Sequence, residues 1–107
     1  MSWEPAMKKI ECVIRPDKLN RVEQALRNER IGGMTISDVR GFGLQGKQAR
    51  TKVKIEIYAM EIEVDEIIKS IRLAAYTGKV GDGKIAVLPL DNVVRIRTEE
   101  EGAKALV

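Results

Sequence analysis

The chain has 107 residues, a mass of 12.0 kDa and a formal net charge of +3, from 19 Lys and Arg against 16 Asp and Glu. Length and a 44% hydrophobic fraction bound it to one globular domain able to bury a core without disulfides. With no His and only Cys12, it excludes His-based acid–base and nucleophile pairs, imidazole zinc sites and internal disulfides.

Residues 1–6 lack the basic-then-apolar order of a signal peptide and read as an extension. No apolar run nears the ~20 residues that cross a bilayer. Residues 8–15 are β-branched and alternate at their start; they predict a strand ended by Pro16. Asp17 is placed to N-cap a helix whose apolar face is Leu19, Val22 and Leu26, stopped by Gly32-Gly33. Residues 34–39 predict a second strand running into Gly41-Phe42-Gly43, and the polar residues 43–51 a loop. Residues 52–58 alternate cleanly, with Val53, Ile55 and Ile57 on one side and Lys52, Lys54, Glu56 and Tyr58 on the other. Val64, Ile67, Ile68 and Ile71 mark a second helix, with Gly78 as its stop. Gly81-Asp82-Gly83 is a turn, Lys84 to Leu88 a strand ended by Pro89, Asn92 to Thr98 a last short strand, and 99–107 a tail.

The order strand-helix-strand-strand-helix-strand predicts an α+β, ferredoxin-like βαββαβ sandwich: a four-stranded antiparallel sheet with both helices on one face, spanning residues 7–98. The other face must meet solvent or another subunit, and it is apolar if Cys12, Ile14 or Val93 point there.

Three features carry chemistry. In Gly81-Asp82-Gly83-Lys84, the glycines permit positive φ, so backbone N–H groups can converge on an anion beside the Lys84 charge. The same residues also read as a plain β-turn, and the spacing is not that of a Walker A loop. Arg95-Ile96-Arg97, if on a strand, sends two guanidinium forks from one face, suited to a polyphosphate or to protecting an edge. The stretch 40–54 holds Arg40, Lys47, Arg50, Lys52 and Lys54 and no acid; it suits an anion, an acidic partner or plain solvation. Gln45 and Lys52 flank its loop, an amide oxygen for a metal shell and an ammonium for a carboxylate. Among the acids, Asp82 reads as capping its own turn and Glu56 as solvated, and no carboxylate pair is set for acid–base work. Cys12 reads as a small core residue.

Taken together, these blocks resemble the PII signal-transduction family. The resemblance rests on Met7-Lys8-Lys9-Ile10-Glu11 with Arg15-Pro16, on Gly33-Met34-Thr35-Ile36 with Val39-Arg40-Gly41-Phe42-Gly43, and on Lys52-Val53-Lys54-Ile55-Glu56. It is completed by Thr77-Gly78-Lys79-Val80-Gly81-Asp82-Gly83-Lys84-Ile85 with Val94-Arg95-Ile96-Arg97-Thr98. It implies a cytoplasmic homotrimer that binds ATP or ADP between subunits, in many members with Mg and 2-oxoglutarate, and docks on a transporter, enzyme or regulator through a loop. By the same resemblance Gly81, Asp82, Gly83 and Lys84 hold the nucleotide, with Lys84 on the phosphates, and Arg95 and Arg97 reach them across the interface. Thr35 and Glu56 match positions near base and ribose. Gly41, Phe42 and Gly43 line the cleft, and Gln45 and Lys52 match the residues that hold Mg and the 2-oxoglutarate carboxylates.

The chain also departs from the family's pattern. The loop between Gln45 and Lys52 is short and lacks the modifiable Tyr; Leu44 stands where an arginine usually touches phosphate, and Ala86 where Phe is common. These departures favour ADP or AMP over ATP and admit bicarbonate as the second effector, as in carboxysome-associated PII-like proteins. Two other classes compete with a binding regulator. A slow ATPase lacks an obvious general base, and an RNA-binding domain lacks an aromatic stacking platform.

Overall fold

The computed structural model describes residues 6–44 and 46–107. Alternation along β1 (Met7–Ile14) sends Ile10, Cys12 and Ile14 to one side, where all three are buried. β3 (Arg50–Met60) lies antiparallel to it, with Ile57 opposite Ile10, Ile55 opposite Cys12 and Val53 opposite Ile14. β4 (Lys84–Leu90) pairs with the other edge of β1, and β2 (Thr35–Gly41) with the other edge of β3. The sheet order is β2-β3-β1-β4.

Two helices cover the apolar side. α1 (Leu19–Arg27) contributes Val22 and Leu26, and α2 (Val64–Ala75) contributes Val64, Ile67, Ile71 and Ala75. Each fully buried isoleucine or leucine contributes about 1.5–3 kcal/mol, so the seven that lose nearly all exposure dominate the choice of which sheet face is covered. This is the ferredoxin-like arrangement expected from the element order. Burial pushes the Cys12 thiol up to about 11, as befits an inert core residue.

Several boundaries differ from expectation. Asp17 does not cap α1: it sits inside a 3-10 turn, Pro16–Lys18, entered through Pro16, whose fixed φ needs no side-chain cap. α1 ends at Asn28, well before Gly32, as the N–H groups of Asn28 and Glu29 fold back onto Ala25 and Leu26. α2 stops at Ala75, before Gly78, because Tyr76 is extended and a carboxylate described below takes the next two N–H groups. Pro89 does not end β4; the strand runs to Leu90, and as an edge strand it tolerates a residue with no N–H.

The larger corrections concern the last strand and the open face. Residues 92–98 form no strand. Arg95 exchanges backbone bonds with Glu99 and Glu100, Glu99 adopts φ 64°, and Val94 makes a single bridge to Glu101. The segment is a tight reversal that pairs only with the residues just after it, 99–102. A 3-10 helix, Gly102–Leu106, follows it. Cys12 and Ile14 face the helices, and Val93 lies outside the sheet. Strand parity puts Lys9, Glu11, Val13, Lys52, Lys54, Glu56 and Tyr58 on the open face, with Ala86 and Leu88 beside them.

Candidate functional site

The expected glycine turn lies where the end of β1, the start of β4 and the middle of β3 meet. Its conformation is dictated by close approach and by one carboxylate. Gly83 has φ 101°, and a Cβ there would fall 1.7 Å from the Val13 carbonyl oxygen. Gly81 has φ 104° and rests against the Arg15 guanidinium. Asp82 accepts from the Thr77 N–H (2.9 Å), the Gly78 N–H (2.9 Å), the Thr77 hydroxyl and Arg15 Nε (3.2 Å). The Thr77 bonds lead the causes that hold its carboxyl well below the usual range, with Gly78 and Arg15 adding to them. Asp82 therefore ties together the loop between α2 and β4, as the turn-capping reading expected.

Two cations from elsewhere in the chain complete the hold. Arg15 donates to the Val80 carbonyl at 2.7 Å as well as to Asp82, and Lys52 Nζ donates to the Gly81 carbonyl at 2.7 Å. Lys84, opposite Val13 in the register, keeps an exposed ammonium. Lys54 lies on the other side of Val13, 4.0 Å from Glu11. Arg15, Lys52, Lys54 and Lys84 so gather at one corner of the open face. Arg15, Arg50 and Lys52 also line a groove of about 550 Å³ beneath residues 48–51. Such a corner attracts anions.

Glu56 is not merely solvated: Lys9 Nζ sits 2.6 Å from it and 3.4 Å from Glu11. The Lys9 hydrogen bond lowers the Glu56 carboxyl, and the same contact raises Lys9. Thr35 is the cross-strand neighbour of Glu56. With Gly33, Tyr58, Ala105 and Leu106 they line a second groove, of about 270 Å³.

The remaining expected residues are dispersed. Gly41 ends β2 opposite Arg50, and Phe42 is 71% exposed. Gln45 lies outside the described residues. Arg95 and Arg97 do not share a strand face: Arg95 folds onto Glu100 at 2.7 Å, while Arg97 sits exposed in the reversal. Among the described residues, no hydrogen bond or ion pair joins Arg95 or Arg97 to residues 80–84. Sequence reasoning missed Arg15 and Thr77 as parts of the site. Arg15 lies 67 positions from Asp82, and nothing local marks it beyond its place at a strand end.

The family described as Nitrogen regulatory protein P-II matches residues 7–100. Nitrogen regulatory protein P-II of Synechocystis is 46% identical over 112 positions, covering 94% of this chain and all of that protein. The match is longer than the part of this chain it uses, so the relative carries residues that have no counterpart here. The Azospirillum brasilense protein of the same name is 42% identical with the same coverage. A crystal structure of Arabidopsis thaliana PII bound to citrate superposes with a TM-score of 0.85 at 44% identity, over 94% of this chain and 92% of that one. A family match over nearly the whole length, and relatives identical at almost half their positions, lead to one conclusion: the chain belongs to the nitrogen regulatory protein P-II family of signal-transduction proteins.

Proposed function

We propose that this protein is a regulator whose ligand is an adenine nucleotide, ADP or AMP in preference to ATP, held between neighbouring subunits of a homotrimer in the cytoplasm. The observation that carries this reading is the glycine loop, held by Asp82, Arg15 and Lys52 beside an uncommitted Lys84. A loop fixed before binding spends little of the interaction on ordering itself. Lys84, Gly81, Asp82 and Gly83 take the phosphates. Arg95 and Arg97 belong to the neighbouring subunit's share, which fits the absence of bonds to the loop within one chain among the described residues. Thr35 and Glu56 take ribose and base in the smaller groove, with Gly41, Phe42 and Gly43 along the cleft. Leu44 in place of an arginine leaves a third phosphate short of a fork, hence the preference for shorter chains.

A second effector, 2-oxoglutarate or bicarbonate, belongs near Lys52 and Gln45. Citrate in the Arabidopsis relative supports a small carboxylate ligand class. Among the described residues no three His, Cys, Asp or Glu cluster to hold a metal. Mg, where bound, takes mainly phosphate oxygens, with Gln45 as one amide ligand. Occupancy biases the loop over residues 42–49 and through it a transporter, enzyme or regulator. The protein acts by binding and not by turnover.

Calorimetry tests this directly. ADP binds with saturation, and Lys84→Ala weakens it about tenfold by removing one charge-assisted contact. Absence of saturation at millimolar ADP and ATP overturns the reading. Phosphate release by the pure protein that disappears in Lys84→Ala points instead to the slow ATPase.

A further inference from the structure

Val80 and Gly81 are the two central residues of the turn that leads into the glycine loop. The peptide between them can face either way. The two orientations separate type I from type II turns, and a positive φ at the second central residue accompanies the type II form. Gly81, at φ 104°, has that sign. The Arg15 guanidinium bridges this peptide and a side chain, one nitrogen 2.7 Å from the Val80 carbonyl and Nε 3.2 Å from the Asp82 carboxylate. Lys52 holds the following carbonyl, that of Gly81. Among the described residues all peptide bonds are trans, so the N–H of each peptide points opposite to its C=O. With the Val80 oxygen drawn toward Arg15, the Gly81 N–H faces away from it. Among the described residues no acceptor in the chain takes that N–H.

We propose that Arg15 is a positioning residue of the phosphate site: it fixes the flip of the Val80–Gly81 peptide and so presents the Gly81 N–H to a ligand oxyanion without touching the ligand itself. Three features of the contact argue for orientation and against general stabilisation. Its shortest bond, 2.7 Å, reaches from the end of β1 to one backbone carbonyl. It acts where the backbone has two accessible states. It leaves a donor unpaired that a plain turn would gain nothing by exposing. One guanidinium holds the carbonyl and the carboxylate together, and an ammonium in its place can still take the carbonyl, the contact that sets the flip. The identity of the oxyanion, a nucleotide phosphate, rests on the function proposed above.

The test uses the full-length protein in two independent parts. In the ligand-free protein, amide resonances are compared between wild type and Arg15→Gln, with Arg15→Lys as the conservative variant. The Gly81 amide shifts, and its hydrogen exchange changes, in Arg15→Gln far more than in Arg15→Lys. A Gly81 amide unmoved in a folded Arg15→Gln overturns the proposal. In the second part, calorimetry compares ADP with adenosine, which lacks phosphate. Arg15→Gln loses about tenfold for ADP and less than about twofold for adenosine, and Arg15→Lys recovers most of the difference. Equal losses for both ligands, or no rescue by Arg15→Lys, overturn the proposal in favour of a merely structural arginine. Should Arg15→Gln not fold, the same comparisons are made in Arg15→Met, which keeps the aliphatic stem and removes the donors, and decide by the same criteria. If wild type binds no ADP, the nucleotide reading fails and the amide measurements alone decide the role of Arg15.

Discussion

Two glycine-bearing loops leave the same end of the sheet, and only one is held. Residues 77–83 are fastened by Asp82, Arg15, Lys52 and Thr77, drawn from three separate parts of the chain. In the loop over residues 42–49, the backbone bond from Gly43 to Gly46 is the only one between described residues of the loop itself. There Phe42 and Leu44 are 71% and 98% exposed. The contrast fits the two kinds of work proposed for these loops. A grip on a small anion needs donors already in place. A surface that reads out occupancy to a partner needs to change, and for that it must be weakly committed. The glycines differ accordingly. In the first loop they are required by positive φ and by close approach. In the second, a Cβ on Gly43 meets nothing within 4 Å.

Substitutions sharpen this comparison. The largest effect belongs to Gly83→Ala. It forces a Cβ into the Val13 carbonyl and a strained φ, so thermal unfolding shows a loss of about 2 kcal/mol or more. A wild-type melting temperature for that variant would break the claim that the first loop is sterically determined. Next is Asp82→Asn. The folded-state carboxyl is depressed, so its contribution is complete above the unfolded value of about 3.9 and is lost as pH falls through the folded value. Wild type therefore loses stability progressively below about pH 4, and the asparagine variant shows a flatter acid limb. Identical acid limbs count against Asp82 as the fastening group. The smallest effects are Gly43→Ala and Leu44→Ser. Chemical denaturation places each within about 0.5 kcal/mol of wild type, and nucleotide affinity is unchanged in Leu44→Ser. A large loss of stability in either shows that the second loop is also held.

Much of the fold was legible because its signals are local and periodic. β3 declares itself by strict alternation from Val53 to Tyr58, and α1 and α2 by their recurring apolar faces. The glycine loop was visible as a motif for the same reason. The segment 92–98 misled because Val93, Val94 and Ile96 have strand composition, whereas a strand exists only when a neighbour accepts its hydrogen bonds. Here the chain offers only residues 99–102 just downstream, and the segment turns back on them. The facing of Cys12 and Ile14 could not be settled either. Both sides of β1 carry apolar residues, and only the register with β3 ranks them.

The amino-acid order alone determined the two helices and the first four strands, though not all of their ends, and the glycine motif at residues 81–83, because each of these depends on neighbours a few residues away. Which cations hold that motif was decided only by tertiary structure. Arg15 and Lys52 reach it from 65 and 29 positions away, through pairing that no local pattern encodes. The orientation of a single peptide at Gly81 depends on that long-range contact, since a turn by itself permits either flip.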